Sequence, residues 1–192
     1  MDSTAKILCL KDDTGRVSGY SFNSAVAAQG AGFAVDTYLT NSDILIPSFG
    51  VQAKTQFLWT LSASKSGAGT AQPVYSIRIG ALRTVVDTAR LTLTGPAQTA
   101  IADIGTLCIM CTVRSVGGAG VIQGTAYWTH RGTAANTTTS GTGFANDSTG
   151  HVEGSGAGFD NQNLGGSYIG LSINGGTSAS WTVTQAQAEA VW

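Results

Sequence analysis

GTLCIMCTVRSVGGAGVIQGTAYWTHR, residues 105–131, decides how the rest of the chain is read. Two strand-like runs, 107–114 and 121–130, flank Ser115-Val116-Gly117-Gly118-Ala119-Gly120. Glycine takes positive φ without a steric penalty, so this connection suits a tight return, and the stretch predicts a β-hairpin. Side chains alternate across a strand, which puts Leu107, Ile109, Cys111 and Val113 on one face and Cys108, Met110, Thr112 and Arg114 on the other. The second face is mixed rather than polar, so the hairpin is expected to be partly covered on both sides by a sheet or a subunit.

Downstream, residues 132–166 are rich in Gly, Thr, Ser and Asn, with Phe144 and Phe159 as the only aromatics. A stretch of that length without its own pattern is uncommon inside a compact domain, and it is read as a projecting, partner-contacting loop. Residues 168–173 and 178–183 flank Asn174-Gly175-Gly176-Thr177 and predict a second hairpin. QAQAEAVW, residues 185–192, has high helix propensity, but its strict alternation fits a strand continuing from Trp181.

Upstream, residues 56–63 alternate almost ideally, with Phe57, Trp59 and Leu61 as the clearest core residues. Residues 73–80 set Tyr75, Ile77 and Ile79 against Val74, Ser76 and Arg78. Residues 85–94 set Ala89, Leu91 and Leu93 against Arg90, Thr92 and Thr94, and Gly95-Pro96 ends that run. Shorter runs at 35–39 and 44–46 precede Pro47. With no amphipathic helix, the pattern predicts an all-β, antiparallel jelly roll or β-sandwich of about eight strands over residues 33–192. Residues 1–32 read as a separate arm. In it, a small hairpin turns at Asp12-Asp13-Thr14-Gly15, and residues 23–32, small and nearly uncharged, form a linker.

Charged residues make up 11% of the 192 positions, against roughly 25% in ordinary soluble domains. A formal charge of -1 gives little repulsion between copies, so a homo-oligomer is expected. Ten Lys and Arg residues scattered along the chain offer no basic patch for phosphates, which argues against direct nucleic-acid binding. No apolar run reaches the roughly 18 to 20 residues that span a bilayer, so no membrane segment is expected. Ile7-Leu8-Cys9-Leu10 is too short for a signal-peptide core. Cys108 and Cys111 have C-x-x-C spacing, but on a strand they point to opposite faces and cannot grip one ion or close a disulfide. They are read as buried, reduced thiols.

No constellation of residues demands chemistry. His130 and His151 lack further ligands at suitable spacing, and a zinc site needs three or four. Asp147, Glu153 and Asp160, with Asn146, Asn161 and Asn163, could offer oxygen ligands to calcium, but no EF-hand pattern is met. Asp36, Asp43, Asp87 and Asp103 could supply a glycosidase pair, yet each lies at a turn or strand end, where Asp is favoured for local hydrogen bonds. Residues 64–70, SKSGAGT, lack phosphate-loop spacing and join two strands. No enzyme activity and no cofactor are expected. Tyr20, Tyr38, Tyr127, Tyr168 and Trp128 are candidate sugar-stacking platforms, although strand aromatics more often serve cores and interfaces.

The blocks DTYLTNSDILIP (36–47), SKSGAGTAQPVYSIRIG (64–80), DTARLTLTG (87–95) and GLSINGGTSASWTVTQAQAE (170–189) resemble a jelly-roll domain of virion structural proteins of tailed bacteriophages. The resemblance covers residues 33–192 and implies a trimeric module on capsids, tail fibres or tail spikes, with no catalytic residues. The chain is short and shows no shaft-like segment. It is therefore expected to be a capsid decoration or cement protein, made in the bacterial host cytoplasm, that sits on the capsid surface and bridges subunits of the major capsid protein. The alternatives are a receptor-binding tail fibre or spike module, with 132–166 as its recognition loop, and a carbohydrate-binding β-sandwich.

Overall fold

The computed structural model describes residues 8–11, 17–66, 68–95, 97, 98, 100, 102–132, 149–159, 164–177 and 180–192. These form strands β1 (Leu8–Lys11), β2 (Val17–Ala25), β3 (Gln29–Gly32), β4 (Thr37–Tyr38), β5 (Ile44–Leu45), β6 (Gln56–Lys65) and β7 (Val74–Gly80), followed by β8 (Thr88–Thr94), β9 (Asp103–Ser115), β10 (Gly120–Gly132), β11 (Thr149–Phe159), β12 (Tyr168–Asn174) and β13 (Trp181–Val191). No helix occurs among the described residues, so none is long and apolar enough to cross a membrane.

Two antiparallel sheets make a sandwich. The larger runs β1-β2-β13-β6-β9-β10-β11, with β3 also on β13, and the smaller runs β4-β12-β7-β8, with β5 also on β12. The hairpin that organised the sequence reading is β9 and β10, in which Leu107 pairs with Trp128, Ile109 with Ala126 and Cys111 with Gly124. Its inward residues and those of β6, where Phe57, Trp59 and Leu61 are at most 1% exposed, join Tyr75, Ile77, Leu91, Leu93, Leu171 and Ile173 in one core.

Alternation explains why β6 buries every second side chain, and burying that apolar face is what drives the two sheets together. Burying an indole N–H without a partner costs free energy, and three of the four tryptophans have one. Trp59 Nε1 donates to Ser42 O at 2.7 Å, Trp181 Nε1 to Gln98 Oε1 at 3.0 Å and Trp192 Nε1 to Ser21 Oγ at 2.9 Å. Gln98, itself buried, donates through Nε2 to Ala71 O at 2.9 Å and Gly175 O at 2.6 Å. Trp128 Nε1 is buried with no hydrogen-bond partner among the described residues.

Several expectations are corrected. Part of the segment 132–166, read as one long loop, is strand: β11 pairs with β10 from Thr129↔Thr149 to Gly120↔Phe159. Residues 168–183 are not a paired hairpin, because β12 lies in the smaller sheet and β13 in the larger. Residues 23–32 carry the end of β2 and all of β3, both paired with β13. The small hairpin at the start is present as β1 on β2, and its turn lies outside the described residues. Residues 185–191 are strand, as alternation predicted.

Candidate functional site

On the outer face of the smaller sheet, Arg78 holds a frame together. Its Nε donates to Ser172 Oγ at 2.8 Å, its Nη1 to the carbonyls of Val85 at 2.9 Å and Asp87 at 2.6 Å, and its Nη2 pairs with the Asp36 carboxylate. The Asp87 carboxylate in turn accepts from the amides of Leu82 (3.1 Å), Arg83 (2.6 Å) and Thr84 (3.3 Å). This is the local turn bonding for which Asp is selected. Arg83, at a left-handed φ of 57°, lies 4.9 Å over the Tyr168 ring and 3.5 Å from the Asp43 carboxylate. Tyr38 lies against Gly170, where an added Cβ would strike its hydroxyl. Burial and the charges of Asp43 and Asp87 hold its phenol well above the usual range.

The frame fixes the β7–β8 loop, which exposes Leu82 (61%), Val85 (41%) and Val86 (75%). Val35, 70% exposed, precedes Asp36, the ion-pair partner of Arg78, in the chain. Three exposed aliphatic side chains thus ride on a loop held by the Arg78 guanidinium and the Asp87 carboxylate.

The outer face of the larger sheet is different. Glu189, Leu58, Met110 and Thr125 form one cross-strand row, Val191, Gln56, Thr112 and Gln123 the next, and Gln187, Thr60, Cys108 and Tyr127 a third. A concavity of about 290 Å³ lies over the first two rows. In β9, Val113 pairs with Ile122 and Ser115 with Val121, so Arg114 is the extra residue of a bulge, a device that re-aims a side chain. Its Nη1 donates to Gln123 Oε1 at 2.6 Å. Gln187 Nε2 donates to the Glu189 carboxylate. A side-chain hydrogen bond with Cys108 raises the Tyr127 phenol above its usual range.

The residues singled out from the sequence scatter. Asp36, Asp43 and Asp87 do gather around Arg78 and Arg83, each engaged as described, while Asp103 is buried beside Lys65, its cross-strand neighbour in the larger sheet. Lys65 is the last, buried residue of β6, and burial lowers its ammonium below the usual range against the opposing pull of Asp103. Cys111 is buried in the core and Cys108 half-buried on the opposite face, both free. Trp128 is core, Tyr38 and Tyr168 share the smaller sheet, and Tyr127 stands on the larger, so the aromatics form no single platform. The side chains of Tyr20, His130, His151 and Glu153, and all of Asn146, Asp147, Asp160, Asn161 and Asn163, lie outside the described residues. Among the described residues, no three His, Cys, Asp or Glu side chains gather as metal ligands.

No family model matches the sequence, and no curated protein matches it. Solved structures show distant likenesses. The metal-free lectin I-B4 from Griffonia simplicifolia is 9% identical over 100% of this chain and 88% of that one, with a TM-score of 0.33. The CBM2 module of the evolved Dit of Lactobacillus casei BL23 phage J-1 is 8% identical over 78% of this chain and 67% of that one, with a TM-score of 0.26. The infectious bursal disease virus VP2 subviral particle is 9% identical over 98% and 40%, with a TM-score of 0.24. Likenesses at this level assign neither family nor ligand.

Proposed function

We propose that this chain is a structural protein of a bacteriophage virion: a homotrimeric decoration or cement protein that bridges major capsid protein subunits on the capsid surface and stiffens the head. The observation that carries this reading is the exposed aliphatic group of Leu82, Val85 and Val86 on the β7–β8 loop, whose backbone Arg78 and Asp87 hold. A clustered apolar surface marks a contact site, and a prearranged loop loses little entropy on docking. With charged residues at 11% of the chain, the association rests on apolar and backbone contacts and depends little on salt. The trimeric state and the capsid partner follow the resemblance of the sequence blocks to phage jelly-roll domains. The role is mechanical and involves no catalysis, cofactor, nucleic acid or membrane.

Cosedimentation with capsids lacking the protein tests the reading. Wild-type chain is expected to pellet with capsids at both low and high salt, whereas Val86→Asp and Leu82→Asp remain in the supernatant with an unchanged circular dichroism spectrum. Equal pelleting of the variants, or a wild-type protein that binds tails and not heads, contradicts it.

A further inference from the structure

The concavity on the larger sheet lies on the opposite face of the sandwich from the aliphatic ridge, and its chemistry is different. Met110 (44% exposed) and half-buried Leu58 form an apolar floor. Around it stand amide, hydroxyl, guanidinium and carboxylate groups. We propose that this concavity, between Glu189 on β13 and Gln123 on β10, is a binding site for a neutral pyranose sugar of one or two rings.

Three features lead there. The first is size: about 290 Å³ stands at the lower end of the roughly 300–1,000 Å³ of small-molecule sites. Three strand spacings separate β13 from β10, about 14 Å in all, which is room for a ring or two and too short for a long polymer to be enclosed. The second is the pattern of polar atoms. Neighbouring sugar hydroxyls present paired donors and acceptors, and the Gln amide, the Glu carboxylate and the Arg guanidinium each offer two coplanar polar atoms to match. Arg114 already occupies Gln123 Oε1, which leaves the Gln123 amide nitrogen and the remaining Arg114 donors directed by that bond. The Gln187 amide steadies the Glu189 carboxylate in the same way. Side chains held before binding lose less freedom when the ligand arrives.

The third feature is charge. Among the described side chains that line the concavity, Arg114 and Glu189 carry the charges, one of each sign. An anionic sugar would meet Glu189 and a cationic one Arg114, so the balanced rim favours a neutral ligand. The C–H face of a pyranose ring is apolar and would lie on Met110 and Leu58. Tyr127, one row further along and 38% exposed, would extend that floor beneath a second ring.

Titrating the full-length ¹⁵N-labelled chain with glucose, galactose, N-acetylglucosamine and lactose tests the site. At least one of these is expected to shift amides concentrated in residues 56–58, 110–114, 123–125 and 189–191. Gln123→Ala and Glu189→Ala should each weaken that sugar by about tenfold or more, with thermal midpoints within a few degrees of wild type. Val86→Asp, on the other sheet, should bind the sugar unchanged. No shift with any of the four sugars overturns the proposal. So do shifts confined to other strands, binding only to glucuronic or N-acetylneuraminic acid, and self-association that covers this face. None of these outcomes depends on where the protein sits in a virion.

Discussion

Gln98 shows how a single residue can tie the sandwich together. It accepts from the Trp181 indole and donates to the carbonyls of Ala71 and Gly175, so Gln98→Leu deprives two buried groups and the part-buried Ala71 carbonyl of that partner. The expected loss is about 2–4 kcal/mol in chemical denaturation. The tryptophans give a sharper comparison. Trp59 donates to Ser42 O and Trp128 has no partner among the described residues, so Trp59→Phe should cost about 1–3 kcal/mol more than Trp128→Phe. Equal losses would show that the indole hydrogen bonds contribute nothing net.

The buried titratable residues set the alkaline limit. Burial pushes the Cys111 thiol up to about 12 and the Tyr75 phenol above its usual range, and Tyr38 shifts the same way. The unfolded chain gives up these protons first, from about pH 9 for cysteine and 10 for tyrosine, so stability falls as pH rises through that range. Lys65 acts oppositely: its lowered value means that the unfolded chain holds the proton longer, so stability rises with pH until lysine in the unfolded chain titrates near about 10.4. Three acids oppose one base. The thermal midpoint should therefore fall between about pH 9 and 11, and Cys111→Ala should flatten the earliest part of the fall. A flat profile in the wild type would contradict this. At this scale Phe57, Trp59 and Leu61 were legible from alternation alone. Gln98 was not, because its partners come from positions 71, 175 and 181, which only the fold brings together.

Among the elements, those misread from the sequence are the ones whose pattern is broken by packing. In β11, Gly150, Gly154 and Gly156 pair with the inward-facing Trp128, Gly124 and Ile122. A Cβ on Gly154 would come within 2.8 Å of Leu93 Cδ2, and one on Gly124 would collide with Leu91. The glycines are there so that β8 can approach the larger sheet closely, yet in composition they look like loop. Gly124→Val should cost about 1–3 kcal/mol by overpacking, and exchange of Leu91 for Ala in the same chain should recover part of that loss. In β13 the buried positions change phase, from Trp181 and Val183 to Ala186, Ala188 and Ala190. The register shift between Val183 and Gln185 absorbs the change, with Thr184 as the extra residue. Deleting Thr184 should leave strict alternation from Val183 to Ala186, Ala188 and Ala190, so the alanines stay inward and the dispersed amide spectrum of a folded chain is kept; loss of that spectrum would show that the bulge itself is needed. The strand itself was legible from the alternation of residues 185–192, but the change of phase was not, because that alternation was carried straight on from Trp181. Nor was the crossing of β12 and β13 into different sheets, because glycine-rich connections serve hairpins and crossovers alike.

For the whole molecule, two outer surfaces with different chemistry frame one core. The outer side chains of β9 were legible as a mixed face, including Met110 and Arg114. Their combination with Gln56, Leu58 and Glu189 was not, since the order β13-β6-β9-β10 joins strands far apart in the chain. The ridge was likewise hidden: Val85 and Val86 stood inside a run, 85–94, that alternation had extended as strand, whereas β8 begins at Thr88, and Leu82 fell between two runs. A chain with so few charges and a fixed aliphatic ridge is expected to act in an assembly, and light scattering on the purified protein should give the mass of a trimer of the 19.5 kDa chain. The central claim is that the assembly strengthens a capsid, and heat disruption of capsids with and without the protein, followed by release of packaged DNA, tests it most directly. A higher disruption temperature with the wild-type chain, lost with Val86→Asp, is the predicted result; the same disruption temperature in all three preparations would contradict the account.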